Sequence, residues 1–214
     1  MVAPSVADAP APEGAHRPLP RLGGMTTVPG ALRERIVGTA LDLTLEAGWS
    51  GVTMAKLADR VGVSRQTVYN EIGGKPALAE AMILTELARF LGVVDAAFDD
   101  HPRSLVDALE QACRDVLELA HDNPLLKAVV TATHGADTEL LPLLTTHADS
   151  LLVTAKGVIR GRLEAYDVAL GPDRLDAAID MVVRVVLSHV MQPSGTPAST
   201  ATDLAWIAGR VLTA

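Results

Sequence analysis

Hydrophobic positions recur at helical spacing along almost the whole chain from residue 31 onward, and no stretch alternates with the period of a strand. Leu32, Ile36, Ala40, Leu43 and Ala47 form one stripe, which predicts a helix over about 31–47. Gly48-Trp49-Ser50-Gly51 ends it, with Trp49 plugging the junction to the next helix. Met54, Leu57, Ala58 and Val61 mark a short second helix, with Thr53 placed to cap it and Gly62 to end it. Ser64 caps a third, on which Val68 and Ile72 face inward. Longer helices follow at about 76–98, 104–120, 124–133, within 138–168, at 173–191 and at 202–212, separated by breaks at Asp99–Pro102, Gly135–Asp137, Gly171–Asp173 and Pro193–Pro197. The predicted fold is all-α, with about nine helices.

The third helix carries the candidate chemistry. Its apolar strip is narrow, and Arg65, Gln66, Thr67, Tyr69 and Asn70 cover the rest of its surface. Two short helices around a tight turn, the second with a large polar face, have the spacing of a helix-turn-helix whose second helix enters the major groove. Arg bonds guanine bidentately, and Gln or Asn bonds adenine. Thr67, Tyr69 and the capping hydroxyls of Thr53 and Ser64 suit phosphate oxygens, which set register without reading sequence. Lys75 precedes Pro76 at a helix start, where backbone N–H groups and an ammonium together attract an anion.

These residues carry a resemblance. Thr53, Leu57-Ala58, Val61-Gly62-Val63-Ser64, Thr67, Tyr69, Ile72, Lys75 and Leu78 resemble the N-terminal DNA-binding region of TetR/AcrR-type transcriptional repressors over residues 31–80. Ile72 stands where that family usually has Phe, and Val61 where it usually has Ala. Both remain apolar. After residues 1–30, the resemblance implies two parts: a helix-turn-helix domain at 31–75 and a larger helical ligand-binding and dimerisation domain at 76–214. It also implies a small-molecule effector in the larger domain, a helix over 76–98 that moves on binding, and a palindromic operator in double-stranded DNA.

Composition narrows the picture further. The net charge is −8, yet residues 31–75 hold six basic and five acidic side chains. The acidity lies in 76–214, with ten basic and nineteen acidic residues, so the C-terminal body is repelled by phosphate while the N-terminal end is not. Residues 1–30 hold six prolines and little periodicity, as expected of a disordered arm. Arg17 and Arg21 there have the chemistry to reach a minor groove. No secretory signal pattern opens the chain, and no apolar run is long enough for a membrane span. The single cysteine, Cys113, excludes an internal disulfide framework, fits a reducing cytoplasm, and reads as a small buried filler.

The 173–191 helix has apolar residues on more than one face, so it must be buried on more than one side. Its own domain and a second copy of the chain are the expected cover, as the resemblance implies a four-helix dimer interface from the last two long helices. The expected homodimer interface includes Met181, Val182, Val186, Val190 and Trp206. Aromatics make up only 3% of the chain, and those of the C-terminal part are Phe90, Phe98, Tyr166 and Trp206. An aliphatic pocket with few aromatics suits a long apolar ligand such as a fatty acid, acyl ester or alkane rather than a planar cation. Phe90, Phe98 and Tyr166 are its candidate lining, with His121, Thr131, His134, His147 and Arg160 as candidate polar anchors. The six histidines lack metal-ligand spacing, Ser188 and His189 diverge as helix neighbours, and no nucleophile elbow or phosphate loop is present. The expectation is no catalytic residue, no metal and no cofactor. The competing reading is a helical dimer that binds lipid or protein without reading DNA. Sequence does not separate an activator from a repressor.

Overall fold

The computed structural model describes residues 30–123, 125–127 and 141–213, the backbone alone over 141–150. The expected arm at 1–29, most of the predicted 124–133 helix and the loop at 135–137 lie outside the described residues. The described chain is helical throughout: α1 Ala31–Ala47, a 3-10 turn Trp49–Gly51, α2 Met54–Val61, α3 Arg65–Ile72, α4 Lys75–Asp100 and α5 Leu105–His121. Then come α6 Leu141–Leu163, α7 Pro172–Met191 and α8 Pro197–Leu212.

The starts and stops of the short helices follow from local hydrogen bonds. The Thr53 hydroxyl accepts from Lys56 N, that of Ser64 from Thr67 N, and that of Ser104 from Asp107 N. Gly62 ends α2 in the left-handed conformation, φ 79°, and its N–H donates to Ala58 O. A Cβ there would meet nothing within 4 Å, so the cost of adding one is conformational alone. Gly62→Ala is therefore expected to lower stability by about 1–2 kcal/mol with the helices intact. A thermal melt followed by circular dichroism measures it, and an unchanged Tm contradicts it.

Two expected boundaries and one buried face differ from expectation. Asp99 and Asp100 read as a break, yet they complete the last turn of α4, because Arg162 on α6 pairs with both Asp95 (2.6 Å) and Asp99 (2.5 Å). Pro197 also read as part of a break. It stands in the first turn of α8, where its missing N–H costs nothing, behind a Thr196 cap. Ala47 is exposed, and Val37 and Thr44 take its place on the buried face of α1.

Packing divides into an N-terminal and a C-terminal cluster. The first joins Ile36, Val37, Ala40 and Leu43 of α1 to Leu57 and Val61 of α2, Val68 and Ile72 of α3, and Leu78, Met82 and Ile83 of α4. Leu125 also buries in it. The second joins Val94, Ala97 and Phe98 of α4 to Leu105, Ala108 and Leu109 of α5, Leu163, Ile179, Val183, and Ala205, Ala208 and Leu212 of α8. Helix α4 thus belongs to both, with the changeover between Ile83 and Val94. Helices α5 and α8 run in close contact: a Cβ at Gly209 would lie 2.9 Å from Val106 Cγ2.

Candidate nucleic-acid interface

Helix α3 is anchored by two fully inward side chains, Val68 and Ile72, against the α1–α2 core. Arg65, Gln66, Tyr69 and Asn70 are exposed on its outer side, and Tyr69 keeps 45% of its surface open. Gln66 Nε2 donates to Asn70 Oδ1 at 2.8 Å, so two amides four residues apart hold one another along the exposed face. At the start of the helix the Ser64 and Thr67 hydroxyls lie 2.8 Å apart. Thr53 is exposed at the start of α2. Lys75 opens α4, and its Nζ sits 4.9 Å over the ring of buried Trp49. That contact holds the Lys75 ammonium against the Trp49 ring at the start of α4.

Two arginines of α1 hold the motif in place, a role that sequence alone did not disclose. Arg33 Nη1 donates to Glu71 O at 3.0 Å, and Arg35 Nη2 to Val61 O at 2.8 Å. Both acceptors lie in the last turn of their helices, where carbonyls lack intrahelical partners and attract cations. Arg60 pairs with Glu46 at 2.7 Å, which ties α2 back to α1. This pair is exposed and contributes little to stability. The charge on this end is therefore partly committed to positioning. Arg65 is the cation on the exposed side of α3.

A chain with this arrangement can insert one short helix, presented on a packed three-helix support, into a groove that accepts Arg and amide donors. Comparison with known proteins agrees with that geometry. Residues 36–82 match the family model of bacterial regulatory proteins of the tetR family, and residues 104–210, half of the chain, match that of the bacterial tetracyclin repressor C-terminal domain. The chain belongs to the TetR family. It is 27% identical over 194 residues to the HTH-type transcriptional regulator AlkX of Mycobacterium tuberculosis, covering 91% of each chain. Over 57 residues it is 39% identical to the class D tetracycline repressor protein of Escherichia coli, which is 27% of this chain and 26% of that one. Among solved structures it is similar to the TetR family repressor AlkX of Dietzia sp. strain DQ12-45-1b, with a TM-score of 0.67 and 26% identity over 83% of this chain and 98% of the other. As a TetR-family transcriptional regulator the protein is a ligand-responsive DNA-binding factor, not an enzyme. Among the described residues, no helix is long and apolar enough to cross a membrane, and no group of three or more His, Cys, Asp or Glu is placed to hold a metal.

Among the described residues, the candidate effector side chains of this TetR-family regulator have separate surroundings. Phe98 and Tyr166 meet, but as core: their rings pack edge to face with centroids 5.8 Å apart, and Tyr166 Oη donates to His101 O at 2.9 Å. Phe98 is buried in the C-terminal cluster. Arg160 forms an ion pair with Asp176 that joins α6 to α7, so its charge is used between helices. His121 is exposed at the end of α5, and Phe90 is half-buried. Thr131 and His134 lie outside the described residues, as does the side chain of His147. A groove of about 270 Å³ runs between α1 and α4 and is lined by Arg33, Glu34, Val37, Ala81, Leu84, Thr85 and Ala88. It includes none of the candidates.

Of the expected dimer residues, Met181 and Trp206 are exposed, while Val182, Val186 and Val190 are half-buried, the first two against the C-terminal core. Leu187, Met191, Ile207 and Val211 are further exposed apolar side chains on α7 and α8. Cys113 is buried against Ala201 and Leu204, and burial pushes its thiol up to about 12. The thiolate is therefore absent at neutral pH, which suits a filler rather than a reactive group.

Proposed function

We propose that this regulator is a cytoplasmic homodimeric repressor that occupies a palindromic operator and is released by a small apolar effector. The observation that carries the reading is the outward face of α3: Arg65, Gln66, Tyr69 and Asn70 exposed beside Lys75 on a fully packed support. In this reading residues 31–75 are the reading head. Arg65, Gln66 and Asn70 meet base edges, while Thr53, Ser64, Thr67, Tyr69 and Lys75 meet the phosphate backbone. The body at 76–214 binds effector and partner subunit. A two-fold axis places the two α3 helices in successive major grooves, roughly 34–36 Å apart.

Support for the apolar effector is chemical. The C-terminal cluster is aliphatic, built from Val94, Leu105, Leu109, Leu163, Ile179, Val183 and Leu212, with the one aromatic pair closed on itself. Such surroundings reward methylenes and offer no stacking platform for a planar cation. The Dietzia relative is a repressor implicated in biodegradation of n-alkanes. When the effector favours a conformation whose heads no longer match the half-sites, ligand and DNA each weaken the binding of the other by the same factor.

Fluorescence anisotropy over a salt series tests the reading, using DNA from upstream of the protein's own gene against random DNA. Selective binding to the first, lost on addition of a fatty acid or long alkane but not of a cationic dye, is the expected result. Equal affinity for both DNAs would favour a helical lipid- or protein-binding dimer instead. Release by the dye and not the lipid would reject the apolar effector alone.

A further inference from the structure

Glu86 is a buried carboxylate that neither DNA contact nor effector binding has so far used. It lies on α4 with 4% of its surface exposed, one turn beyond Met82 and two beyond Leu78 on the inward face. Arg89 Nη1 donates to its Oε1 at 2.9 Å and its Oε2 at 3.1 Å. Its other partner comes from 37 residues away: Asn123 Nδ2 donates to Glu86 Oε2. Asn123 is itself buried at 2% exposure. Its Oδ1 accepts from Leu126 N at 3.0 Å, its carbonyl accepts from Lys127 N at 3.0 Å, and its N–H donates to Ala120 O at 3.2 Å. One residue thus closes the turn after α5 with its backbone, while its side chain caps the next turn and reaches the linker helix.

The position of this pair matters more than its strength. Residues 78–83 of α4 pack with the reading head, and residues 94–98 with the effector body. Glu86 stands at the changeover. Leu125, two residues after Asn123, is buried in the cluster that includes α1, α2 and α3. Leu125 is therefore one point where the body touches the head directly, and Leu151 of α6 is another. An apolar side chain at position 86 would fill the site without the desolvation cost of a carboxylate. A carboxylate paired with Arg89 on its own helix and bonded by Asn123 from the corner instead favours a single register between α4 and the corner, since a displaced Asn123 would leave a buried carboxylate oxygen with Arg89 as its one donor among the described residues.

We propose that Glu86 and Asn123 form a latch that sets the orientation of α4 relative to the body and thereby the operator affinity of heads that neither residue touches. The proposal rests on the operator-binding reading above. Any movement of Asn123 must either carry α4 with it or break the pair.

The test uses the full-length protein and a duplex selected by the wild-type protein from a randomised pool, with a random duplex as control. Asn123→Ser keeps a helix cap but does not reach Glu86. Asn123→Asp keeps the cap and sets two carboxylates against one another. Combining Asn123→Asp with Glu86→Gln restores a donor and an acceptor with their polarity reversed. Affinity for the selected duplex is expected to fall about tenfold in Asn123→Ser and about 30-fold in Asn123→Asp, and to return to within about threefold of wild type in the swapped pair. Affinity for random DNA stays level throughout, because no phosphate contact changes. Scattering mass and Tm accompany each titration. A folded Asn123→Ser protein with wild-type affinity for the selected duplex overturns the latch, as does a swapped pair that melts like wild type yet fails to recover. If Asn123→Asp does not fold, those two variants still decide. A wild-type protein that selects no duplex refutes operator binding and the latch with it. Selective wild-type binding with unaffected variants refutes the latch alone.

Discussion

Replacing both Met181 and Trp206 with aspartate is expected to turn the protein into a helical monomer that has lost most of its operator affinity. Met181 is 62% exposed on α7 and Trp206 63% exposed on α8. The inward side of α8 is already complete: Leu204, Ala205, Ala208 and Leu212 pack against the body, while Trp206, Ile207 and Val211 point away from it. A buried Trp contributes up to roughly 150–250 Å² of contact, so its exposure together with Ile207 and Val211 asks for a cover. Aspartates in that cover carry a desolvation cost in each subunit and a like-charge contact across the axis. In the monomer the same aspartates are solvated, and surface changes of this kind move stability by only about 0.5 kcal/mol. Loss of the second head removes the effective concentration that links the half-sites, a factor of about 10²–10⁴. Light scattering at micromolar concentration reads the mass, and anisotropy reads the affinity. A wild-type monomer, or a variant that remains dimeric, would exclude this interface.

The second large effect separates reading from holding. Arg65→Ala is expected to lower affinity for the operator by at least about 30-fold, from ~1–3 kcal/mol in each of two half-sites, and to relax preference at the bases it meets. Random DNA should be bound almost as before. Lys75→Ala should instead weaken all DNA alike and lower the salt slope by about one for each subunit, because a phosphate contact carries no sequence information. The structure adds a condition to the lysine experiment. Lys75 Nζ also covers the Trp49 ring, so its removal can loosen the junction of α1, α2 and α4. Lys75→Met keeps the stem over the ring and removes the charge. If Lys75→Met and Lys75→Ala weaken DNA binding equally, the phosphate contact accounts for the loss. A smaller effect of Lys75→Met would shift the role to support of Trp49. Equal losses on operator and random DNA for both Arg65→Ala and Lys75→Ala would contradict the assigned division of labour.

These residues also show how far a sequence reaches. The helix-turn-helix was legible because its signals are local. Thr53, Gly62 and Ser64 act on backbone groups three or four residues away, and the inward strip of α3 is two residues on one helical line. Exposure of Arg65, Gln66, Tyr69 and Asn70 follows from the same periodicity, once Val68 and Ile72 are placed inside. The limits at Asp99-Asp100 and at Pro197 differ from the expected ones for two separate reasons. Both segments contain residues that favour a break in isolation. One is held helical by Arg162, more than sixty residues away, and the other by a cap and a proline that suit a helix start as well as a loop.

The candidate effector residues fared differently because a pocket is a tertiary object. Sequence identified scarce aromatics and isolated polar groups, but not their partners. Phe98 meets Tyr166 across 68 residues, and Arg160 turns to Asp176. Glu86 was visible in principle. It falls on the line of Leu78 and Met82, where a helical wheel puts an acidic residue inside. Its partner Asn123 was not, since a helix-capping Asn is ordinarily at the surface.

What the amino-acid sequence by itself determined is the all-helical fold, the local limits of α2 and α3, and the polar face that α3 presents. Each depends on groups within one or two turns of the same helix, whose geometry the backbone imposes. Only the tertiary structure decided where the charges and polar groups are used: Arg33 and Arg35 on carbonyls of the motif, Arg162 and Arg160 between long helices, and Glu86 with Asn123 at the crossing between head and body. Those pairings form because folding brings groups distant in sequence together, and at Glu86 and Asn123, which are buried, each polar group must take the partner that packing places beside it.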